Sequence, residues 1–136
     1  MPFLSLSLNN FRNLKNDKID LSAKEIFFVG KNGQGKTNLL EALYFVSYGN
    51  SFRTHVDSQL IQKGQEFFSL KTLYQRDDKS LHQVSVQYEK NKKKIEKNGK
   101  TISDRKALLQ TIPCILFCHS DMNFVIGEPE YRRFFL

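Results

Sequence analysis

The sequence predicts an α/β fold, a strand–loop–helix unit of the parallel type set beside an antiparallel meander. Three observations predict it. Glu25-Ile26-Phe27-Phe28-Val29 is an apolar run rich in β-formers, a glycine-rich turn fills residues 30–37, and residues 38–48 carry apolar side chains at helical spacing. From Phe67 onward the apolar period changes to two, the pattern of half-buried strands. Asn98-Gly99, between two short strand-like runs, is a two-residue hairpin signal.

In chain order, Leu4, Leu6 and Leu8 alternate with Ser5 and Ser7, which suits a half-buried strand over residues 3–8. The stretch has no basic region and no small-residue cleavage site, so it does not read as a signal peptide. A second strand is expected at 18–21, joined through a loop in which Phe11 and Leu14 are buried while Arg12 and Asn13 point elsewhere. The 25–29 run reads as a strand buried on both faces of a parallel sheet. Leu39, Leu40, Leu43 and Val46 form the helix stripe, and Gly49 stops it. A polar loop at 49–54 opens a shorter helix around 57–62, which Gly64 ends. Phe68, Leu70, Thr72 and Tyr74, then Val84, Val86 and Tyr88, form one face of the meander, with a polar turn at 76–80. Ser103-Asp104 caps an expected helix at 105–110. A buried strand at 112–118 follows, then a short helix at 122–126 closed by Gly127, and another from Pro129 to Leu136.

A chain of 136 residues can build one domain with a sizeable core, but not two of ordinary size. Its 40% hydrophobic and 26% charged content is that of a soluble globular protein, and no apolar run approaches a membrane span. A cytoplasmic protein with no membrane partner is expected. Cys114 and Cys118 are too near in one strand for a good disulfide, and His119 completes no zinc set, so both read as buried thiols. The net charge of +7 is concentrated in a cluster of Lys90, Lys92, Lys93, Lys94, Lys97 and Lys100 against Glu89 and Glu96. Such a cluster fits contact with phosphates and, equally, a solvated edge hairpin whose lysines discourage strand addition.

The chemistry lies in Gly30-Lys31-Asn32-Gly33-Gln34-Gly35-Lys36-Thr37, which fits G-x-x-x-x-G-K-[ST], the phosphate loop of nucleotidases. Gly30, Gly33 and Gly35 lack a Cβ, so the backbone can curl round an anion and aim its N–H groups inward. The helix beginning near Lys36 adds its positive end. Lys36 is the expected catalytic contact to the β- and γ-phosphates, and Thr37 the expected magnesium ligand. Residues 30–38, including Lys31, Asn32, Gln34 and Asn38, form the expected binding set for a nucleoside triphosphate. A glycine-rich turn that binds nothing is the alternative, and the flanking elements and both specific side chains oppose it.

Several stretches together resemble the RecF family of recombination-repair ATPases, whose heads are built like those of SMC proteins and, more distantly, ABC transporters. They are Leu8-Asn9-Asn10-Phe11-Arg12-Asn13, the extended loop reading GKNGQGKTNLLEA, Ser51-Phe52-Arg53-Thr54, the lysine hairpin ending Asn98-Gly99-Lys100, Leu116-Phe117, and Gly127-x-Pro129-x-x-Arg132-Arg133-x-Phe135-Leu136. The resemblance implies a P-loop NTPase, the first lobe of an ABC-type ATPase head over 1–118, with a helical arm beginning at 119–136. It implies ATP and Mg2+ as cofactors and puts Arg12 and Asn13 beside the nucleotide. Arg53 is left between phosphate, DNA and water, and Arg132 and Arg133 between function and surface charge. It implies ATP-dependent binding of single-stranded, duplex or gapped DNA in replication, repair and the SOS response, a nucleotide-dependent homodimer at full length, and recombination mediator proteins as partners.

The sequence departs from that family at His119-Ser120-Asp121, where a proline and an acidic pair are usual. It contains no Leu-Ser-x-Gly signature and no apolar strand ending in Asp-Glu. The expectation is the N-terminal portion of a longer protein, or a truncated copy, which binds ATP weakly and does not turn it over alone. A non-catalytic nucleotide-binding module, or another P-loop enzyme such as a small kinase or GTPase, is the competing expectation.

Overall fold

The computed structural model describes residues 3–103, 108 and 112–117. Its frame is a six-stranded sheet of β1 (Phe3–Asn9), β2 (Asp17–Asp20), β3 (Phe67–Gln75), β4 (Leu81–Glu89), β5 (Lys92–Lys97) and β6 (Lys100–Thr101). The strand order is β2-β1-β3-β4-β5-β6, and every neighbouring pair is antiparallel. Side-chain alternation fixes the register: Leu8 faces Leu70, and Leu70 faces Val86, so the apolar positions of all three strands share one face. Helix α1 (Lys36–Tyr48) lies against that face and ends at Gly49, whose φ of 69° and N–H bond to the Phe45 carbonyl make a left-handed cap.

The core sits between helix and sheet. Phe68 receives Phe11 edge-on at 5.3 Å and Phe45 edge-on at 5.6 Å, and stacks on Tyr88 at 5.7 Å. Phe11, Phe45 and Phe68 are fully buried, each contributing about 2–3 kcal/mol through burial, with about 1 kcal/mol more per ring pair. Thr72 is buried on the same face and donates to the Ser5 carbonyl at 2.9 Å, satisfying its hydroxyl. The Asn98-Gly99 turn is present between β5 and β6, with both residues at positive φ.

Four expectations are corrected. Residues 25–29 are not a buried strand: Phe27 is 82% and Val29 93% exposed, and of this run Phe28 packs on the core. Residues 112–117 form no strand and leave alternate side chains exposed, Ile115 at 94%. The reason is common to both. No strand among the described residues pairs with either run, and no parallel pairing occurs there. The shorter helix is a single 3-10 turn, Asp57–Leu60, that ends before Gly64, and Leu40 lies half-exposed off the buried stripe. The expected helices at 105–110, 122–126 and 129–136, Cys118, and the 119–136 arm lie outside the described residues, apart from the buried Leu108. Among the described residues no helix is long and apolar enough to cross a membrane.

Candidate functional site

The loop after β1 is pinned before it reaches the site. Phe11 inserts into the core and bridges Ile61, the Arg12 N–H donates to the Leu60 carbonyl at 2.8 Å, and Asn10 and Arg12 both adopt φ of 52°. That double left-handed geometry turns the Arg12 and Asn13 side chains toward the glycine loop and α1. Asn13 donates to the Gly33 carbonyl at 2.9 Å and accepts from Asn38 Nδ2 at 2.7 Å, stapling the loop to the first turn of the helix.

Within the loop, Gly35 holds φ of 100° because nothing larger fits: a Cβ there would lie 2.7 Å from Leu14 Cδ2 and 2.9 Å from Asn13 Oδ1. The Lys31 N–H donates to Gln34 Oε1 at 2.8 Å, and Lys36 Nζ donates to the carbonyls of Gly30 and Lys31 at 2.5 and 2.8 Å. The ammonium therefore lies over the loop. Helix α1 starts directly after Gly35 with no side-chain cap and no acidic residue in its first turn, so its leading N–H groups and positive end are left for an anion. Asn32, Gly33, Gly35, Lys36, Thr37, Asn38 and Arg53 line a hollow of about 320 Å³ at that point. Thr37 is exposed on its wall and makes no hydrogen bond with its side chain among the described residues.

Behind the hollow stands Glu41, fully buried. Arg12 grips it with two bonds, Nε to Oε2 at 3.0 Å and Nη2 to Oε1 at 2.8 Å, and gives Nη1 to the Gln59 carbonyl at 3.0 Å. Ser51 donates to Oε1 at 2.5 Å, and Arg53 Nη1 is shared between Asn38 Oδ1 at 2.7 Å and Glu41 Oε2 at 3.3 Å. Burial pushes the Glu41 carboxyl up, but the hydrogen bonds from Arg12 and Ser51 and the charges of both arginines outweigh it and hold the group below the usual glutamate range.

The structure thus brings Asn32, Gly33, Gly35, Lys36, Thr37 and Asn38 of the expected set to one hollow. Gly30, Lys31, Gln34 and Asn13 stay off its lining but are bonded within or onto the loop. Arg12 is one step removed, with its guanidinium bound to Glu41. Sequence reasoning missed Glu41 and Ser51 and left Arg53 open. A signal existed for Glu41: it lies four residues before Phe45, on the inward helical face, where a carboxylate must find a cation. The lysine cluster resolves in part. Lys93 binds Asp57 and the Gly49 carbonyl, each at 2.7 Å, and Lys94 binds Glu96 at 2.6 Å while staying exposed, as Lys90, Lys92 and Lys100 are. A cavity of about 590 Å³ lies at the other end of α1 around Gly49, His55 and Lys93, away from the glycine loop. Among the described residues no His, Cys, Asp and Glu side chains cluster as a metal site.

A family model described as the AAA ATPase domain matches residues 1–124. The DNA replication and repair protein RecF of Treponema pallidum is 50% identical over 129 residues, which are 93% of this chain and 36% of that protein. The protein of the same name from Chlamydia caviae is 40% identical over 136 residues, 100% of this chain and 37% of its own. The chain therefore spans just over a third of the length of these curated relatives. Among solved structures, that of the recombination mediator protein RecF-ATP in the RecFOR pathway matches with a TM-score of 0.85 and 30% identity, over 98% of this chain and 36% of the other. The SMC head domain from Thermotoga maritima matches with a TM-score of 0.62 at 16% identity, over 83% of this chain and 43% of the other, a likeness of fold alone.

Proposed function

The chain belongs to the AAA ATPase domain family and resembles RecF proteins along nearly its whole length, and from that premise we propose that it is the ATP-binding portion of a RecF-like DNA repair and replication protein. One observation carries the reading. An uncapped helix N-terminus, the Lys36 ammonium and the Thr37 hydroxyl converge on one hollow behind a glycine loop, which suits a phosphate chain. Lys36 is the contact to the β- and γ-phosphates, the N–H groups of residues 33–38 cradle them, and Asn13 and Asn38 keep the cradle's shape. Thr37, exposed on the wall of the hollow, would be the residue that holds Mg2+, and the ion would offset the charge of the phosphate chain. Bound ATP supplies the γ-phosphoryl group whose hydrolysis drives proteins of this kind. Glu41 is committed to two arginines and a serine and is not the acid that would orient a water. With no Leu-Ser-x-Gly signature and no apolar strand ending in Asp-Glu in its sequence, the portion binds ATP weakly and does not turn it over alone.

The exposed Lys90, Lys92 and Lys100 are the proposed contact to DNA phosphates, within a cytoplasmic, nucleotide-dependent homodimer at full length, with recombination mediators as partners and an arm that begins at 119–136. Titration with Mg-ATP tests the site. Lys36→Ala should weaken binding by roughly 100-fold, and equal affinities of variant and wild type would sink the phosphate reading. Replacing Lys90, Lys92 and Lys100 by Gln should lower the slope of DNA affinity against salt by about one unit per lysine. An unchanged slope removes the hairpin from the DNA contact.

A further inference from the structure

Building on the phosphate reading above, we propose that Glu41 is a positioning residue of the nucleotide site, holding the Arg53 guanidinium on the wall of the hollow. Charge bookkeeping is the first argument. Glu41 is already neutralised by the two-pronged grip of Arg12 and satisfied further by Ser51. A buried carboxylate needs no more than that. Arg53 brings a second guanidinium, so the cluster keeps one positive charge in surplus, and that surplus lines the hollow with Lys36.

Geometry is the second. The Arg53 side chain is 43% exposed and spends Nη1 on Asn38 and Glu41. Its Nε and Nη2 donors have no partner among the described residues, which leaves them for a ligand in the hollow. The backbone is fixed through the same carboxylate: Ser51 Oγ, which donates to Glu41, accepts the N–H groups of Arg53 at 2.9 Å and Thr54 at 3.2 Å. Glu41 therefore bears on both ends of Arg53, at the guanidinium beside the shorter bond to Asn38 and through Ser51 at the main chain. A pre-oriented fork loses less rotamer freedom on meeting a phosphate than a free one, so the gain appears as affinity.

The test is calorimetric titration of Mg-ATP into the full chain with wild type, Arg53→Ala, Arg53→Lys, Glu41→Gln and the Glu41→Gln, Arg53→Ala pair. Each single change should weaken binding about tenfold, and the pair no more than Arg53→Ala alone, because the effect of Glu41 passes through Arg53. Losses that multiply to about 100-fold mean that Glu41 acts independently, and overturn the proposal. If Glu41→Gln does not fold, Arg53→Lys decides: it keeps the charge on a half-exposed side chain but not the fork, and wild-type affinity there overturns the idea. Failure of wild type to bind Mg-ATP at all overturns the phosphate reading instead. The NMR order parameter of the Arg53 Nε–H then still judges Glu41, since equal order in wild type and Glu41→Gln refutes the positioning role.

Discussion

The chain holds two kinds of strand-forming sequence, and what separates them in the structure is pairing. β3 and β4 alternate apolar and polar residues, and each finds a ladder on both edges, so Phe68, Leu70, Val84 and Val86 are wholly buried. The runs at 25–29 and 112–117 are as apolar, yet they lack a ladder among the described residues and leave Phe27, Val29 and Ile115 largely exposed. β-propensity makes a segment able to be a strand, and partner edges make it one.

The largest expected effect tests that contrast directly. Phe68→Ala in β3 should cost about 3–5 kcal/mol in denaturant unfolding, since the ring is fully buried among Phe11, Phe45 and Tyr88. Val29→Ala should change stability by less than about 0.5 kcal/mol in the same chain. Similar costs at the two positions would show that the 25–29 run is packed after all.

The next effect concerns how polar groups replace apolar packing beside the hollow. The folded-state pKa of Glu41 lies below its unfolded value, so as pH falls the unfolded chain takes up the proton first. The stability that Glu41 contributes is complete above the ordinary glutamate range and is lost as pH drops from that range through the lowered folded value. Glu41→Gln should cost about 2 kcal/mol at neutral pH, discounted because Arg12 and Arg53 stay partly in water, and should flatten the acid limb of a stability–pH curve. An acid limb as steep in the variant as in wild type would assign the pH dependence to other groups.

This asymmetry explains what the sequence disclosed. The period-two faces, the Asn98-Gly99 turn, the Gly49 stop and the glycine loop are local patterns, and each is found where local geometry requires it. The fate of residues 25–29 depends on partners that no local pattern names. Arg12 was legible as a residue turned toward the site, but its bond to Glu41 spans 29 positions and needs the fold to exist first. Glu41 itself was hidden inside a stripe of leucines, where it reads as a solvated helix position unless its phase with Phe45 is followed.

The smallest effect separates two glycines of one loop that the motif treats alike. Both Gly33 and Gly35 hold positive φ, 81° and 100°, so alanine is strained at either. They differ in surroundings. A methyl at Gly33 would meet nothing within 4 Å, whereas one at Gly35 would press on Leu14 and on the Asn13 oxygen that accepts from Asn38. Gly33→Ala should therefore cost about 1 kcal/mol, and Gly35→Ala roughly 1 kcal/mol more, read by thermal unfolding. The second change should also weaken Mg-ATP binding in proportion, because moving Asn13 releases its bond to the Gly33 carbonyl and with it the shape of the cradle. Equal melting temperatures for the two variants would mean that Leu14 and Asn13 yield freely, and that the loop is held by its own backbone rather than by the strand-end residues packed beneath it.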